Sequence, residues 1–285
     1  MNQVFELSSA QRTLRVKADE RLLRWWPTLA PHIPGVPATL PVPVPDTDTA
    51  VDVSGLDERA EARRVINAHL HRLHLTHDTV CVHATALTTP DGARAVLLLG
   101  GHGAGKTLVT TALALRGWNP VAGDVALVHI SQDGARLVGG TSAFVVRTAP
   151  TARWFPHFPH PRPNSATADL RHLWPPAPIR NGVPMATAIW IRVDGDPHLS
   201  EVAVERLDTH TSTTVWWGAS AHLVDRVSTT EPLRLVETEA QVRLRAALVD
   251  DASDQLPLTG LWGDPHLIAA AVEDITSSVS TVGQG

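Results

Sequence analysis

The sequence contains one cysteine, Cys81, and two lysines, Lys17 and Lys106, among its 285 residues. A single thiol excludes an internal disulfide and a thiolate-rich zinc site. Long apolar runs are missing as well: no stretch reaches the roughly 18 residues that span a bilayer. The opening segment, Met1 to Glu6, lacks a basic region followed by an apolar core, so no targeting signal is expected and the cytoplasm is the default compartment. Net charge is −5, with 43% hydrophobic and 19% charged residues. That balance fits a folded globular chain and supplies no global positive field for nucleic acid or an anionic membrane.

What is present divides the chain in three. Residues 1–77 read as a small N-terminal domain: extended pieces at Val4–Leu7 and Thr13–Val16, an apolar stretch from Leu22 to Leu29, and a helical pattern from Asp57 to His74. Between these, Pro31, Pro34, Pro37, Pro41, Pro43 and Pro45 form a connector expected to be extended. Residues 78–277 read as the core and 278–285 as a flexible tail, with fraying expected from Ser277 onward. In the core, Thr79–Leu87 alternates as a strand, and Ala95–Leu99 is a continuous apolar run expected of a central strand covered on both faces. Lys106–Arg116 has helical spacing with Gly117 as its stop, and Pro120–Ile130 reads as one strand turning through Asp133-Gly134. Residues 149–184 read as a long irregular excursion. Further on, Met185–Val193 and Val202–Leu207 look like strands, Gln241–Val249 and Pro265–Ser277 like helices.

Between the apolar strand and the following helix stands Gly100-Gly101-His102-Gly103-Ala104-Gly105-Lys106-Thr107, which fits G-x-x-x-x-G-K-[ST], the Walker A pattern. Glycines let backbone N–H groups converge on phosphate oxygens, and the helix N-terminus adds a favourable dipole. Gly101 to Leu108 are thus the expected nucleotide-binding residues, with Lys106 reaching the β- and γ-phosphates and Thr107 ligating Mg²⁺. Placing one of only two lysines here suits a compact point charge that a planar guanidinium does not replace. Neither lysine lies in Asn-Lys-x-Asp and no Leu-Ser-Gly-Gly-Gln occurs, which argues against regulatory GTPases and transport ATPases.

Three segments together resemble the HPr kinase/phosphorylase-like proteins, relatives of the phosphoenolpyruvate carboxykinase fold. Val82-His83-Ala84 precedes the loop, the loop and its helix follow, and Arg116-Gly117 leads to Gly123-Asp124-Val125-Ala126-Leu127. The family has a strand His, a phosphate loop, then R-G-x-x-x-x-x-D-D. The resemblance is best over residues 79–130, weaker over 184–193 and 256–275, and has no specificity over 1–77. It implies an α/β fold: a P-loop, HPr kinase-like core with a mixed sheet, beside the small N-terminal domain. It also implies ATP, Mg²⁺ and a phosphotransferase activity. By correspondence His83 is the strand histidine near the acceptor, and Asp124 is the carboxylate that holds Mg²⁺ with Thr107. Gly123 stands where the family has its first Asp, thought to act as base. Three readings follow: Asp124 or His83 serves both roles, the acceptor is already nucleophilic, or nucleotide binds without turnover.

From 147 to 180, Arg147, Arg153, Arg162, Arg171 and Arg180 face Asp169 alone, interleaved with Trp154, Phe155, Phe158 and Trp174. This segment reads equally as a surface loop and as a cover over the triphosphate. Arg147 is its foremost catalytic candidate, because it ends the strand-like run Ala143–Val146 and could meet the γ-phosphate. His69, His71, His74 and His77 read as ordinary histidines, since no carboxylate or thiolate completes a ligand set. Trp216-Trp217 reads as core or as a subunit contact, leaving a homo-oligomer open. The expected activity is transfer of the γ-phosphoryl of a nucleoside triphosphate to a small-molecule or peptide acceptor, with peptide or natural-product tailoring as an analogy. The alternative is a non-catalytic nucleotide-binding regulatory protein. No base-reading motif separates ATP from GTP.

Overall fold

In the computed structural model, residues 2–37, 39–45, 49–158, 165–175, 179, 181–196, 200–228 and 237–282 are described. The N-terminal part is a four-stranded sheet ordered β3-β1-β2-β4, from β1 (Gln3–Ser9), β2 (Arg12–Ala18), β3 (Val42–Val44) and β4 (Val51–Asp52). Alternation along β1 sends Phe5 and Leu7 inward. They meet Leu22 and Trp26 of α1 (Glu20–Leu29) and Ile66 and Leu70 of α2 (Arg59–Leu75) in one cluster. The Asp19 carboxylate accepts from the Arg21 N–H at 2.8 Å and so starts α1. The proline connector is not wholly extended: Ala30–His32 is a 3₁₀ turn, where Pro31 sits in the first turn and its missing N–H costs nothing.

Two histidines of α2 belong to the interior. His71 pairs through Nε2 with Glu237 at 2.9 Å, and Ser9 Oγ, which donates to the Pro34 carbonyl, lies 2.8 Å from His74 Nε2. Burial pushes His74 down to about 4. Below pH 6.5 the unfolded chain therefore takes up a proton that the folded chain refuses, and this contribution to stability is lost progressively as pH falls from 6.5 toward 4. The loss is about 3 kcal/mol by linkage. His74→Gln keeps a donor for Ser9 without a titratable ring. Urea midpoints between pH 7 and 4 are expected to fall less steeply for this variant than for the wild type.

The larger part is built on an eight-stranded mixed sheet whose main path runs β13-β14-β12-β6-β5-β8-β9, with β7 paired to β5. Its strands are β5 (Thr79–Thr88), β6 (Ala95–Leu99), β7 (Asn119–Ala122), β8 (Val125–His129), β9 (Arg136–Gly140), β12 (Val183–Val193), β13 (Ala203–Arg206) and β14 (Leu258–Gly263). β12 runs parallel to β6 and β14, and the start of β12 also pairs antiparallel with β9, which closes a ring of five strands. β6 is buried along its whole length. Ala95, Leu97 and Leu99 feed one layer with Trp216 of α5 (Thr209–Ser220) and Leu248 and Val249 of α7 (Glu239–Gln255). Val96 and Leu98 feed the other, with Val109 and Leu113 of α3 (Lys106–Ala114) and Ile268 and Val272 of α8 (Pro265–Val282). Helices on both faces explain why β6 reads as an unbroken apolar run.

Three further expectations are corrected. The span 120–130 is two strands, because the chain breaks at Gly123-Asp124 between β7 and β8. The segment 149–184 is not wholly irregular: it holds most of α4 (Thr148–Trp154) and β11 (Thr167–Asp169), which pairs with β10 (Val145–Arg147). Its aromatics pack inward, with Phe155 and Phe158 buried and Phe158 stacked on Trp174 at 5.5 Å. Helix α8 continues through Ser277 to Val282, so fraying does not begin at 277. Residues 283–285, like Arg162 and Arg180, lie outside the described residues. α5, β14 and α6 (His222–Ser228) have no counterpart in the sequence reading. Among the described residues, no helix is long and apolar enough to cross a membrane.

Candidate functional site

The glycine-rich loop leaves β6 and enters α3, at the end where the parallel strands β6 and β12 both finish. In open α/β sheets this carboxyl edge is where ligands bind. The loop lies hard against β12: the Val193 N–H donates to the Ala104 carbonyl at 2.8 Å. Gly105, at φ +93°, is the residue that permits this approach, since a Cβ there would stand 2.3 Å from Val193 Cγ2. Gly105 is also the N-cap of α3, so its conformation aims the helix start at the cleft.

The cleft in front of the loop is lined by every residue from Gly101 to Leu108, together with His83, Asp124 and Arg147. His32, Gly123, Ala143, Val145, Pro150, Thr151 and Thr167 complete its lining. Residues far apart in sequence therefore meet in one hollow.

Lys106 is 8% exposed, and its Nζ donates to the Gly100 carbonyl at 2.7 Å and to the Gly101 carbonyl at 3.4 Å. Burial pushes its ammonium down to about 8, opposed by the Asp124 charge. A desolvated cation held by two loop carbonyls is ready to exchange them for phosphate oxygens. Thr107 is half-buried on the next position of α3, facing the same cleft as Asp124.

Asp124 is fixed by its backbone. Its carbonyl accepts from the Ala84 N–H at 3.1 Å, and the N–H groups of Asp124 and Val125 both donate to Thr141 Oγ1 at 3.0 Å. The carboxylate itself is half exposed, with Oδ1 at 3.5 Å from His83 Nε2. The preceding Gly123 has no room for a side chain: a Cβ there would lie 1.9 Å from the Ala143 carbonyl oxygen. The position that holds the first Asp in the resembled motif is filled here by a neighbouring backbone.

His83 stacks on His222, with ring centroids 3.9 Å apart and 19° between planes. Ligand atoms of His83, His222 and Asp124 lie within 4.8 Å of one another. Imidazole lone pairs lie in the ring plane, and two nearly parallel rings stacked face to face cannot both direct theirs at one ion. In this arrangement the trio offers an ion one imidazole and a carboxylate, while His222 props the ring of His83. The α2 histidines are not brought together as ligands, as His71 and His74 have the separate partners described above.

Arg147 ends β10 and donates from Nη2 to His102 Nε2 at 2.6 Å, joining the cleft wall to the glycine loop. A guanidinium only donates, so His102 Nε2 is the acceptor here. The other described arginines of this segment are engaged elsewhere: Arg153 with the Gly195 carbonyl, and Arg171 with Asp169 at 3.1 Å. The sequence reading passed over His32, Thr141, Ala143 and His222. None lies at a motif spacing from the loop, and only folding brings them to it.

No protein-family model matches this chain, and neither does any curated protein. Among solved structures it is similar to the Hpr(Ser) kinase/phosphatase from Coxiella burnetii, with 12% identity over 72% of this chain and 99% of that chain. The TM-score is 0.35, a distant likeness of fold.

Proposed function

We propose that this chain is an ATP-dependent kinase, with Mg²⁺, that transfers the γ-phosphoryl group to a small molecule or a peptide side chain. One observation carries the reading. A nearly buried lysine, held by the carbonyls of a glycine loop, opens onto the same cleft as a rigidly mounted carboxylate, an imidazole and an arginine. Such a set supplies the positioning and charge stabilisation that phosphoryl transfer requires.

In this reading the amides of Gly101 to Thr107 and the Lys106 ammonium bind the phosphates. The oxygen donors of Thr107 and Asp124 fit a hard cation and would hold Mg²⁺, which when bound neutralises charge on the β- and γ-phosphates. Arg147 would leave His102 to meet charge on the transferring group. The acceptor oxygen forms a bond to the γ-phosphorus while the bond to the β–γ bridging oxygen breaks. ADP leaves with that electron pair, and the acceptor's proton passes to the His83–Asp124 pair. A cytoplasmic tailoring step in peptide or natural-product synthesis is the setting we favour.

A second reading, nucleotide binding without turnover, is favoured by one feature: the Ala143 carbonyl stands where a second carboxylate would be. Following ADP from ATP and Mg²⁺ with and without candidate acceptors separates the two. Acceptor-dependent release supports the kinase, and binding without release under every condition supports the regulator. Asp124→Ala is expected to remove most of the Mg²⁺ dependence of nucleotide affinity, by about tenfold or more. Titrations with and without the metal check this, and an unchanged metal dependence removes Asp124 from the metal site.

A further inference from the structure

Strands β10 and β11 form a ribbon that pairs with no other strand among the described residues. Its hydrogen bonds fix which way each residue points. The Leu170 N–H donates to the Phe144 carbonyl at 2.8 Å, and the Thr148 N–H to the Ala166 carbonyl at 3.1 Å. Main-chain groups alternate along a strand, so Phe144, Val146 and Thr148 turn theirs toward β11, while Ala143, Val145 and Arg147 turn theirs away. This outer edge is closed at both ends. At Ala143 the N–H donates to the Pro31 carbonyl at 2.8 Å and the carbonyl abuts Gly123. At Arg147 the carbonyl accepts from Thr151 Oγ1 at 2.7 Å, in the first turn of α4. Between these ends, the N–H and carbonyl of Val145 and the N–H of Arg147 have no hydrogen-bond partner among the described residues. Side chains alternate as well: Val146 is buried, whereas Val145, 39% exposed, lines the cleft with Arg147 and Thr167. One face of the ribbon therefore looks into the cleft, and its open edge lies on the side of Gly123 and Asp124.

We propose that the open edge of β10 binds the acceptor, and that the acceptor is an extended peptide segment carrying a hydroxyl side chain. The inference deepens the kinase reading and rests on it. An N–H and a C=O of one residue, aimed the same way, are the complement of another main chain, and an unpaired strand edge is a template for one. In antiparallel pairing, Val145 exchanges two hydrogen bonds with the single residue opposite it, and the Arg147 N–H takes a carbonyl further along. Residues directly opposite one another carry their side chains on the same face. The side chain opposite Val145 thus enters the cleft as Val145 does, on the side of Asp124, and a serine or threonine there meets the γ-phosphate. Its oxygen bonds to the γ-phosphorus, ADP leaves with the electron pair of the broken bond, and the proton passes to the His83–Asp124 pair. Such an edge reads main chain, so it selects for an extended backbone before it selects for sequence.

The test uses the full chain with radiolabelled ATP, Mg²⁺ and an array of short peptides centred on serine or threonine. Labelling of a subset is expected. In a labelled peptide, N-methylation of the hydroxyl-bearing residue deletes the N–H that faces Val145 and is expected to raise KM by about tenfold or more. N-methylation of either neighbour, whose N–H points away from β10, is expected to change KM by less than about threefold. Val145→Pro removes the donor of the open edge and leaves the bonds to β11 in place, since proline is tolerated on an edge where its nitrogen faces outward. It is expected to raise the peptide KM by about tenfold while ATP affinity stays within about threefold. Should that variant fail to fold, the N-methyl scan decides alone. An array with no labelled peptide, or equal tolerance of N-methylation at every position, overturns the proposal. So does a wild-type dimer that Val145→Pro dissociates, because a second copy of the chain would then hold the edge. Labelling of small hydroxyl compounds but of no peptide overturns this inference alone, whereas ATP that is bound and never turned over with any acceptor removes the kinase reading itself.

Discussion

Lys106→Met is expected to weaken ATP binding by about 100-fold or more while raising the melting temperature of the unliganded protein at pH 7. The two effects have one cause. Lys106 is 8% exposed, and burial drives its ammonium from 10.5 down to about 8. Its folded value lies below its unfolded value, so the folded state is penalised wherever the group is charged. The penalty is complete below about 8 and fades as pH rises from 8 toward 10.5. Its size is about 3 kcal/mol by linkage. Methionine matches the length of the stem, so the gain is not cancelled by a cavity. The same ammonium, once it exchanges the Gly100 and Gly101 carbonyls for phosphate, makes charge-assisted bonds of about 1.5–3 kcal/mol each. Calorimetric titration with ATP and melting curves from pH 7 to 10 check both halves. The advantage of the variant in melting temperature should shrink with rising pH. Undiminished ATP affinity would end the phosphate-clasp reading, and a lower melting point at pH 7 would refute the burial cost.

The parts of this arrangement legible in the sequence are those written in local pattern. β6 shows itself because both its faces are covered, and α3 because its period, its glycine stop and the loop before it agree. The elements that were not legible owe their form to distant neighbours. α5 reads Thr-His-Thr-Ser-Thr-Thr and has no clear apolar stripe; the Asp208 cap and the burial of Trp216 hold it. β14, Leu-Thr-Gly-Leu-Trp-Gly, resembles a turn, yet Gly260 is required because a Cβ there would strike the ring of Trp262. The break after β7 was hidden by continuing apolar residues on either side of Gly123. The candidate site divides in the same way. Its loop and Asp124 stand in motifs, whereas His222 comes beside Asp124 through the packing of α6 on α2, at Ala68 and Val224.

Gly123→Asp, which would complete the carboxylate pair of the resembled motif, is expected to destabilise the protein by about 3 kcal/mol or more and to weaken nucleotide capture. The obstruction is the backbone of one adjoining segment: the added Cβ would meet the Ala143 carbonyl oxygen at 1.9 Å, its carbon at 2.9 Å and Phe144 Cα at 3.1 Å. No rotamer change relieves such a clash. Neither segment is free to retreat, since the Ala143 N–H donates to the Pro31 carbonyl at 2.8 Å and the Gly123 N–H to the Thr141 carbonyl at 3.0 Å. Any movement of Gly123 also pulls on the two N–H groups bonded to Thr141 Oγ1, and with them on the mounting of Asp124. Gly123→Ala introduces the same Cβ without charge. Nearly equal loss of stability in the two variants, read from urea unfolding, identifies the cause as steric. An aspartate variant that melts like the wild type and hydrolyses ATP would show instead that the segment from Thr141 to Phe144 can yield. If it cannot, no substitution at Gly123 supplies a second carboxylate, and under the proposed kinase reading the His83–Asp124 pair is the group left to take the acceptor's proton.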